Sequence, residues 1–230
     1  MIKNEDSVIE QFINHHINIV DNILLIDNGS KDNTINIIQK YPEINLIHRN
    51  DDFNLKSSVF SEYINRSKYD IIIPMDADEL LVYDDDNTII NKNQSLIKDY
   101  LNSLLKLNNN LFKVKNIYNY IPNTDNKYLI EKDKWRSRKF FFKRKDFIST
   151  CPGFHSIEMN DKSTHSSKIS YLHYHYLNFD YWYKSSKQKM MARLGDNWNN
   201  IDILKTYSGY SNHTAKELVR FFTTNQWHDE

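Results

Sequence analysis

Three carboxylates, Asp76, Asp78 and Glu79, stand within four positions, directly after the apolar run Ile71-Ile72-Ile73-Pro74-Met75. Carboxylates this close repel one another and contribute little to a fold. They become favourable when a divalent cation or a sugar hydroxyl sits between them. An acidic surface turn is the plain alternative for any D-x-D triplet. Here the triplet follows a continuous β-branched run, the pattern of a strand covered on both faces. Pro74 cannot donate to a sheet ladder, so regular pairing ends near it and the carboxylates fall in the turn beyond.

The other residues with suitable chemistry are scattered. His155 follows the turn Cys151-Pro152-Gly153-Phe154, while His173 and His175 stand at i and i+2 of an apparent strand, Ile169 to Tyr176, and so share one strand face. A lone histidine is more often a hydrogen-bonded core or surface residue than a ligand. A zinc site built from these three lacks cysteine partners and tight spacing. Arg49, Lys56, Arg136 and Arg138 are available to phosphates, although surface salt bridging is the commoner fate of such residues. Trp135, Tyr174, Tyr176 and Trp182 offer rings that stack on a sugar or simply fill a core.

The elements that must position these groups follow from hydrophobic spacing. Val8, Ile9, Phe12, Ile13, Ile17 and Val20 predict a helix with one apolar face. Ile23 to Ile26 predicts a buried strand that opens into the polar loop Asp27 to Thr34. A helix follows, capped by Asp32 or Asn33 and stopped by Pro42. Ile44 to Ile47 predicts a strand, and Val59, Phe60, Tyr63 and Ile64 predict a helix leading to the acidic-turn strand. This alternation implies a parallel sheet with helices on both faces, which binds ligands at the carboxyl ends of its strands. Asn4-Glu5, Asp27 to Thr34, Arg49 and Asp76 to Glu79 all lie at such ends. Beyond them come an amphipathic helix from Leu96 to Leu105 capped by Ser95, and strands at Phe112 to Ile121 and Arg138 to Arg144. The long strand Ile169 to Tyr176 comes next, then a helix from Phe179 to Leu194 closed by Gly195, and a last helix around Lys216 to Phe222.

Composition limits the function classes. The 230 residues are 40% hydrophobic, enough for one domain with a substantial core. Thirty basic and thirty acidic residues cancel, which argues against a general affinity for nucleic acid. The single cysteine, Cys151, excludes an internal disulfide. No apolar run is long enough for a transmembrane segment and no signal peptide is visible, so a soluble cytoplasmic protein, or one peripheral to a membrane, is expected.

Taken together, Lys3-Asn4-Glu5, the loop Asp27-Asn28-Gly29-Ser30-x-Asp32-x-Thr34 and Asp76-x-Asp78-Glu79 resemble the landmarks of the family 2-like glycosyltransferases. The resemblance is to the branch whose acidic motif reads D-x-D-E. It spans residues 1 to about 85 well and about 136 to 190 more loosely. It implies a three-layer α/β/α, Rossmann-like fold of the GT-A type with a mostly parallel central sheet. It also implies a single domain over 1–230, with a nucleotide-sugar-binding half at 1–90 and an acceptor-binding half at 91–230.

The activity implied is metal-dependent transfer from a nucleoside-diphosphate donor, a UDP-sugar in particular, to a glycan, lipid-linked or protein acceptor. Carried over by position, Asn4, Glu5, Asp27, Asn28, Gly29 and Ser30 bind the donor, and Asp76 reaches the ribose and metal-bound water. Asp78 binds Mn²⁺ or Mg²⁺, with Glu79 holding the loop, and His175 is the choice for a further ligand, His155 the alternative. An added imidazole favours Mn²⁺. An inverting enzyme also needs a carboxylate base; Glu131, Asp133 and Glu158 are candidates. A non-catalytic nucleotide- or carbohydrate-binding relative is the second reading. A sugar-phosphate nucleotidyltransferase needs a Gly-rich phosphate loop after its first strand, where this chain has none. The first strand, normally long and central, has only Met1 to Lys3 here, so a short segment ahead of Met1 is expected to complete it.

Overall fold

The structure is a computed structural model describing residues 1–51, 55–85, 88–122, 127–131, 139–151, 155–209 and 211–227, of which 88–91 by backbone only. The chain divides into two compact units. One comprises 1–119 and 128–173; the other comprises 120–127 and 174–230.

The first unit opens with Ile2 bridged in parallel to Asp27, its amide donating to Ile26 O (2.8 Å) and its carbonyl accepting from Asn28 N (2.9 Å). Helix α1 (Ile9–His16) buries Ile9, Phe12, Ile13 and His16, a stripe at helical spacing. Strand β1 (Leu24–Asp27) pairs in parallel with β2 (Asn45–His48) across the short helix α2 (Thr34–Ile38). Helix α3 (Lys56–Arg66) leads to β3 (Ile71–Ile72), and the acidic turn then delivers the chain into β4 (Glu79–Asp85). The first five elements thus follow the βα alternation read from the sequence.

Beyond β3 the pairing is mixed. Strands β5 (Thr88–Asn91), β4, β13 (Ile169–His173), β7 (Ile117–Tyr120) and β8 (Tyr128–Ile130) form one sheet. Within it, β13 runs antiparallel to β4 and parallel to β7. A second sheet takes β12 (Thr164–Ser166), β6 (Leu111–Lys113), β9 (Phe140–Lys143) and β3 in that order. There β9 is antiparallel to both β6 and β3. Strands β10 (Phe147–Thr150) and β11 (Ile157–Met159) make a hairpin. The expected parallel arrangement therefore holds at β1–β2, β6–β12 and β7–β13 and gives way to antiparallel pairing around the acidic turn.

Four local expectations are corrected. Ile71, Ile72 and Ile73 are half-buried, because β3 is bonded to β9 at the end of its sheet instead of being enclosed. The predicted strand Phe112 to Ile121 is two strands, β6 and β7, in different sheets. Helix α4 (Gln94–Leu104) is capped by Asn93, whose Oδ1 accepts from Leu96 N at 3.1 Å, and not by Ser95. Strand β13 stops at His173, and His175 lies in the turn that follows, closed by Leu177 N donating to Tyr174 O at 3.0 Å. His173 and His175 therefore do not share a strand face.

One cluster of the first unit's core gathers Leu81, Ile97, Leu101, Phe112, Phe141 and Tyr171 between α4 and the two larger sheets. In the second unit, α5 (Phe179–Leu194), α6 (Ile201–Thr206) and α7 (Asn212–Thr224) pack around Trp182, Met190, Leu204 and Leu218. Asn178 caps α5 through Tyr181 N, and Gly195 ends it at φ +56°, a conformation that favours glycine. No helix among the described residues is long and apolar enough to cross a membrane.

Candidate active site

Three loops at the ends of the first strands are tied together by side chains. Asn4, in the left-handed region at φ +58°, donates its amide to Ser30 Oγ (2.9 Å) and accepts from Lys31 N (2.7 Å). Glu5 N donates to Thr34 Oγ1 at 2.7 Å. The Asp27 carboxylate accepts from the amides of Gly29 (3.2 Å) and Ser30 (3.1 Å), and Gly29 takes the φ of +79° that this turn requires. Asn28 exchanges two hydrogen bonds with the backbone of Asp51 (2.8 and 3.0 Å), next to the Arg49–Asp51 ion pair at 2.7 Å. The expected donor-binding residues are thus one connected set. The Asp27 carboxylate acts on its own loop and on His48, 3.4 Å away.

The acidic turn faces the same region. Ala77 and Met75 pack against the core cluster that contains Ile2, the residue bridged to Asp27. With Ala77 turned to the core, the carboxylates on either side separate in role. Asp76 Oδ1 lies 3.3 Å from Lys56 Nζ and Oδ2 lies 2.9 Å from Lys139 Nζ. The same Lys139 ammonium is 3.0 Å from Glu79 Oε1. Glu79 Oε2 in turn accepts from Asp76 N at 3.0 Å, closing the turn.

Lys139 and Glu79 are 5% and 2% exposed, so this pair is desolvated and strong only because it is complete. Burial pushes both carboxyls up. At Asp76 the ammonium groups of Lys139 and Lys56 outweigh burial and hold it well below the usual range. At Glu79 burial prevails, helped by the Asp76 and Asp78 charges, and the carboxyl is raised.

Asp78 has a different neighbour. The β13–β4 register sets His173 opposite Glu79, and His173 Nε2 lies 3.4 Å from Asp78 Oδ2. His173 Nδ1 is 2.9 Å from Asn119 Oδ1, and Asn119 Nδ2 donates to Glu131 Oε2 at 3.1 Å. A connected path runs from Asp78 through His173 and Asn119 to Glu131. Burial disfavours a charged His173, but the Asp78 and Glu79 carboxylates overcome it and raise its pKa. Of the base candidates, Glu131 is the one on this path. Glu158 is exposed on β11 and bonded to Ser149 Oγ at 3.0 Å, and Asp133 lies outside the described residues, as do Trp135, Arg136 and Arg138.

His155 lies in the segment between β10 and β11, and among the described residues no cluster of three metal-type side chains includes it. In the second unit His175 Nε2 lies 3.6 Å from Glu217 Oε2, and Tyr176 OH donates to Glu217 Oε1 at 2.6 Å. Glu217 is held below the carboxylate range: burial opposes its charge, and the neighbouring His175 imidazole and the hydrogen bond from Tyr176 prevail. Tyr176 and Trp182 belong to the aromatic core of this unit, which accounts for their type without a sugar.

The family model for glycosyl transferase family 2 matches residues 1–157. The chain belongs to that family. Among solved structures, S. aureus TarS residues 1–349 align with a TM-score of 0.51 at 10% identity, over 97% of this chain and 70% of that one. The same fragment in complex with UDP aligns with a TM-score of 0.50 at 10% identity, over 96% of this chain and 70% of that one. A longer TarS structure aligns at 0.50 and 11% identity, over 96% of this chain and 41% of that one. At such identities the likeness concerns the fold. No curated protein sequence matches the chain. As a family 2 member it has the GT-A class of nucleotide-sugar transferase fold, here with mixed sheets.

Two site residues escaped the sequence reading. Lys139 immediately precedes β9, and only the antiparallel β3–β9 pairing, Ile72 to Phe142, carries it to the acidic turn. His173 was visible as a histidine, but its approach to Asp78 depends on the β13–β4 register.

Proposed function

We propose that this protein transfers a sugar from a nucleoside-diphosphate donor, a UDP-sugar in particular, to a hydroxyl of a glycan, lipid-linked or protein acceptor, using Mn²⁺ or Mg²⁺. Family membership supports the reaction class, and UDP in a TarS structure of like fold supports the choice of nucleotide. The observation that carries the metal is the Asp78–His173 pair, 3.4 Å apart, with the second imidazole nitrogen anchored on Asn119. A ligating histidine characteristically has its other nitrogen fixed this way, so the donor set fits a hard or borderline divalent ion.

When bound, the ion supplies positive charge to the departing diphosphate. The chain's own residues do the rest. The linked loops of Asn4-Glu5 and Asp27 to Ser30 hold the nucleoside, with the Asp27 carboxylate aligning the amides of its loop. Asp76 shapes the acidic turn through its two lysines, in place of the contact with ribose and metal-bound water expected for it. Glu131 is the base: it takes the proton of the acceptor hydroxyl as that oxygen bonds the anomeric carbon and the bond to the diphosphate oxygen breaks. Asn119 positions Glu131 and His173 together.

The test is nucleotide release from a panel of NDP-sugars with and without Mn²⁺. Release with UDP-sugars that depends on the ion and disappears in Asp78→Ala is expected. Saturable UDP binding without release from any donor, with or without acceptor glycans, overturns the catalytic reading and leaves a nucleotide-binding relative.

A further inference from the structure

The acidic turn carries three carboxylates and two buried ammonium groups, and the pairing is unequal. Each Asp76 oxygen faces its own lysine, Oδ1 to Lys56 at 3.3 Å and Oδ2 to Lys139 at 2.9 Å, while Asp78 faces an imidazole. We propose that Lys139, with Lys56, withdraws Asp76 from the metal and so sets which ion the site prefers. This rests on the metal-dependent reading above and adds a specificity determinant to it.

The physical argument concerns the donor set. Sites made only of carboxylate and water oxygens suit Mg²⁺ and Ca²⁺, whereas an imidazole donor shifts preference toward transition ions. Had both aspartates faced the ion, two hard anionic oxygens would dominate. With Asp76 engaged by two ammonium groups, its charge is already compensated, and moving it to an ion would leave the Lys139 ammonium, 5% exposed, with Glu79 alone of these two carboxylates. The remaining set, one carboxylate and imidazole nitrogen, favours Mn²⁺ over Mg²⁺. Lys139 is a positioning residue here. It touches Asp76 and Glu79 and acts on the ion only through what it keeps away.

Glu79 makes the arrangement stable. It shares Lys139 at 3.0 Å and accepts the Asp76 amide at 3.0 Å, so the turn is pinned from the β4 side as well. Removing Lys139 alone would leave a buried carboxylate unpaired. Removing it with the Glu79 charge keeps the local balance, since one positive and one negative group leave together.

The experiment measures Mn²⁺ affinity by electron paramagnetic resonance and Mg²⁺ affinity by competition, on the whole chain, with folding followed by circular dichroism. The wild type is expected to prefer Mn²⁺. Lys139→Met with Glu79→Gln should lower the Mn²⁺/Mg²⁺ affinity ratio by about fivefold or more, as Asp76 joins the ion as a hard ligand. Adding Asp76→Asn to that double variant should restore the ratio. General loss of packing would weaken both ions alike and leave the ratio in place.

Asp76→Asn in the otherwise native chain is the second arm, which holds if the double variant does not fold. It should weaken both ions equally and keep the ratio within about twofold. A ratio unchanged in the double variant, or one that shifts in the single Asp76→Asn variant, overturns the inference while leaving the metal-dependent reading in place. A wild type that binds neither ion, with UDP present, overturns both.

Discussion

His173 Nε2 lies 3.4 Å from Asp78 Oδ2 while its Nδ1 is held at 2.9 Å by Asn119 Oδ1. With Nδ1–H donated to the amide oxygen, the ring presents Nε2 to the carboxylate, where either a proton or a cation can bridge the two. His173→Ala is expected to weaken Mn²⁺ binding by about 10- to 100-fold, and Asn119→Ala by about 10-fold through the loosened ring. Titration of Mn²⁺ in the presence of UDP checks both. Equal affinity in wild type and His173→Ala would remove the histidine from the site.

Glu131 is joined to His173 through the two ends of the Asn119 amide. A carboxylate that deprotonates the acceptor contributes to turnover and not to donor binding. Glu131→Gln should therefore lower kcat for transfer by about 10²- to 10⁴-fold while UDP affinity stays unchanged. Steady-state kinetics with an accepted donor and acceptor, alongside calorimetry with UDP, separate the two effects.

Asp84, at the far end of β4 from the acidic turn, collects Ser170 Oγ (2.7 Å), Tyr118 OH (2.8 Å), Asn116 Nδ2 (3.0 Å) and Lys115 Nζ (3.0 Å) on one buried carboxylate. This is a structural knot joining β4, β7 and β13. Asp84→Ala deprives four donors at once and is expected to cost about 3–5 kcal/mol in urea unfolding. Metal affinity measured below the unfolding transition should be unaltered.

His16 links α1 to β4. Its Nε2 accepts from Leu81 N at 3.2 Å and its Nδ1 donates to Phe12 O at 2.7 Å, an arrangement that needs the neutral ring. Burial, and then the neighbouring His15, push its pKa down to about 3 from an ordinary 6.5. Between those values the unfolded chain binds a proton that the folded chain refuses, so stability falls as pH drops through that window. The contribution is about 1.4 kcal/mol per pH unit at most. Urea unfolding at pH 7, 6 and 5 should show a steeper loss in wild type than in His16→Gln, the difference in slope approaching one proton at pH 5. Parallel slopes would contradict this.

Local pattern carried the amino-terminal half of the fold. The β-branched runs, the apolar stripe of α1 and the polar loop from Asp27 to Thr34 each announce their element within a dozen residues, because strand burial and helix amphipathicity repeat at short period. The loop residues also carried their own clustering, since strand-end loops of an alternating β/α chain fall on one edge. Gly195 closing α5 was likewise legible, because a helix terminus at positive φ selects glycine. Ser95 was misread as a cap because Asn93, two residues earlier, is an equally good acceptor and only the chain's entry angle decides between them.

What the amino-acid order determined by itself was the nature of the chemistry: a D-x-D-E turn after a strand, a polar loop after another, histidines late in the chain. What only the tertiary structure decided was which of those groups meet. Lys139 reaches Asp76 through an antiparallel pair formed some seventy residues apart, and His173 reaches Asp78 through a pair separated by more than ninety. Such registers depend on how distant apolar faces pack together, and no local period encodes them. The acidic triplet was legible as three equal charges. Packing made them unequal, by setting Asp76 between two lysines, Asp78 beside an imidazole and Glu79 in the interior.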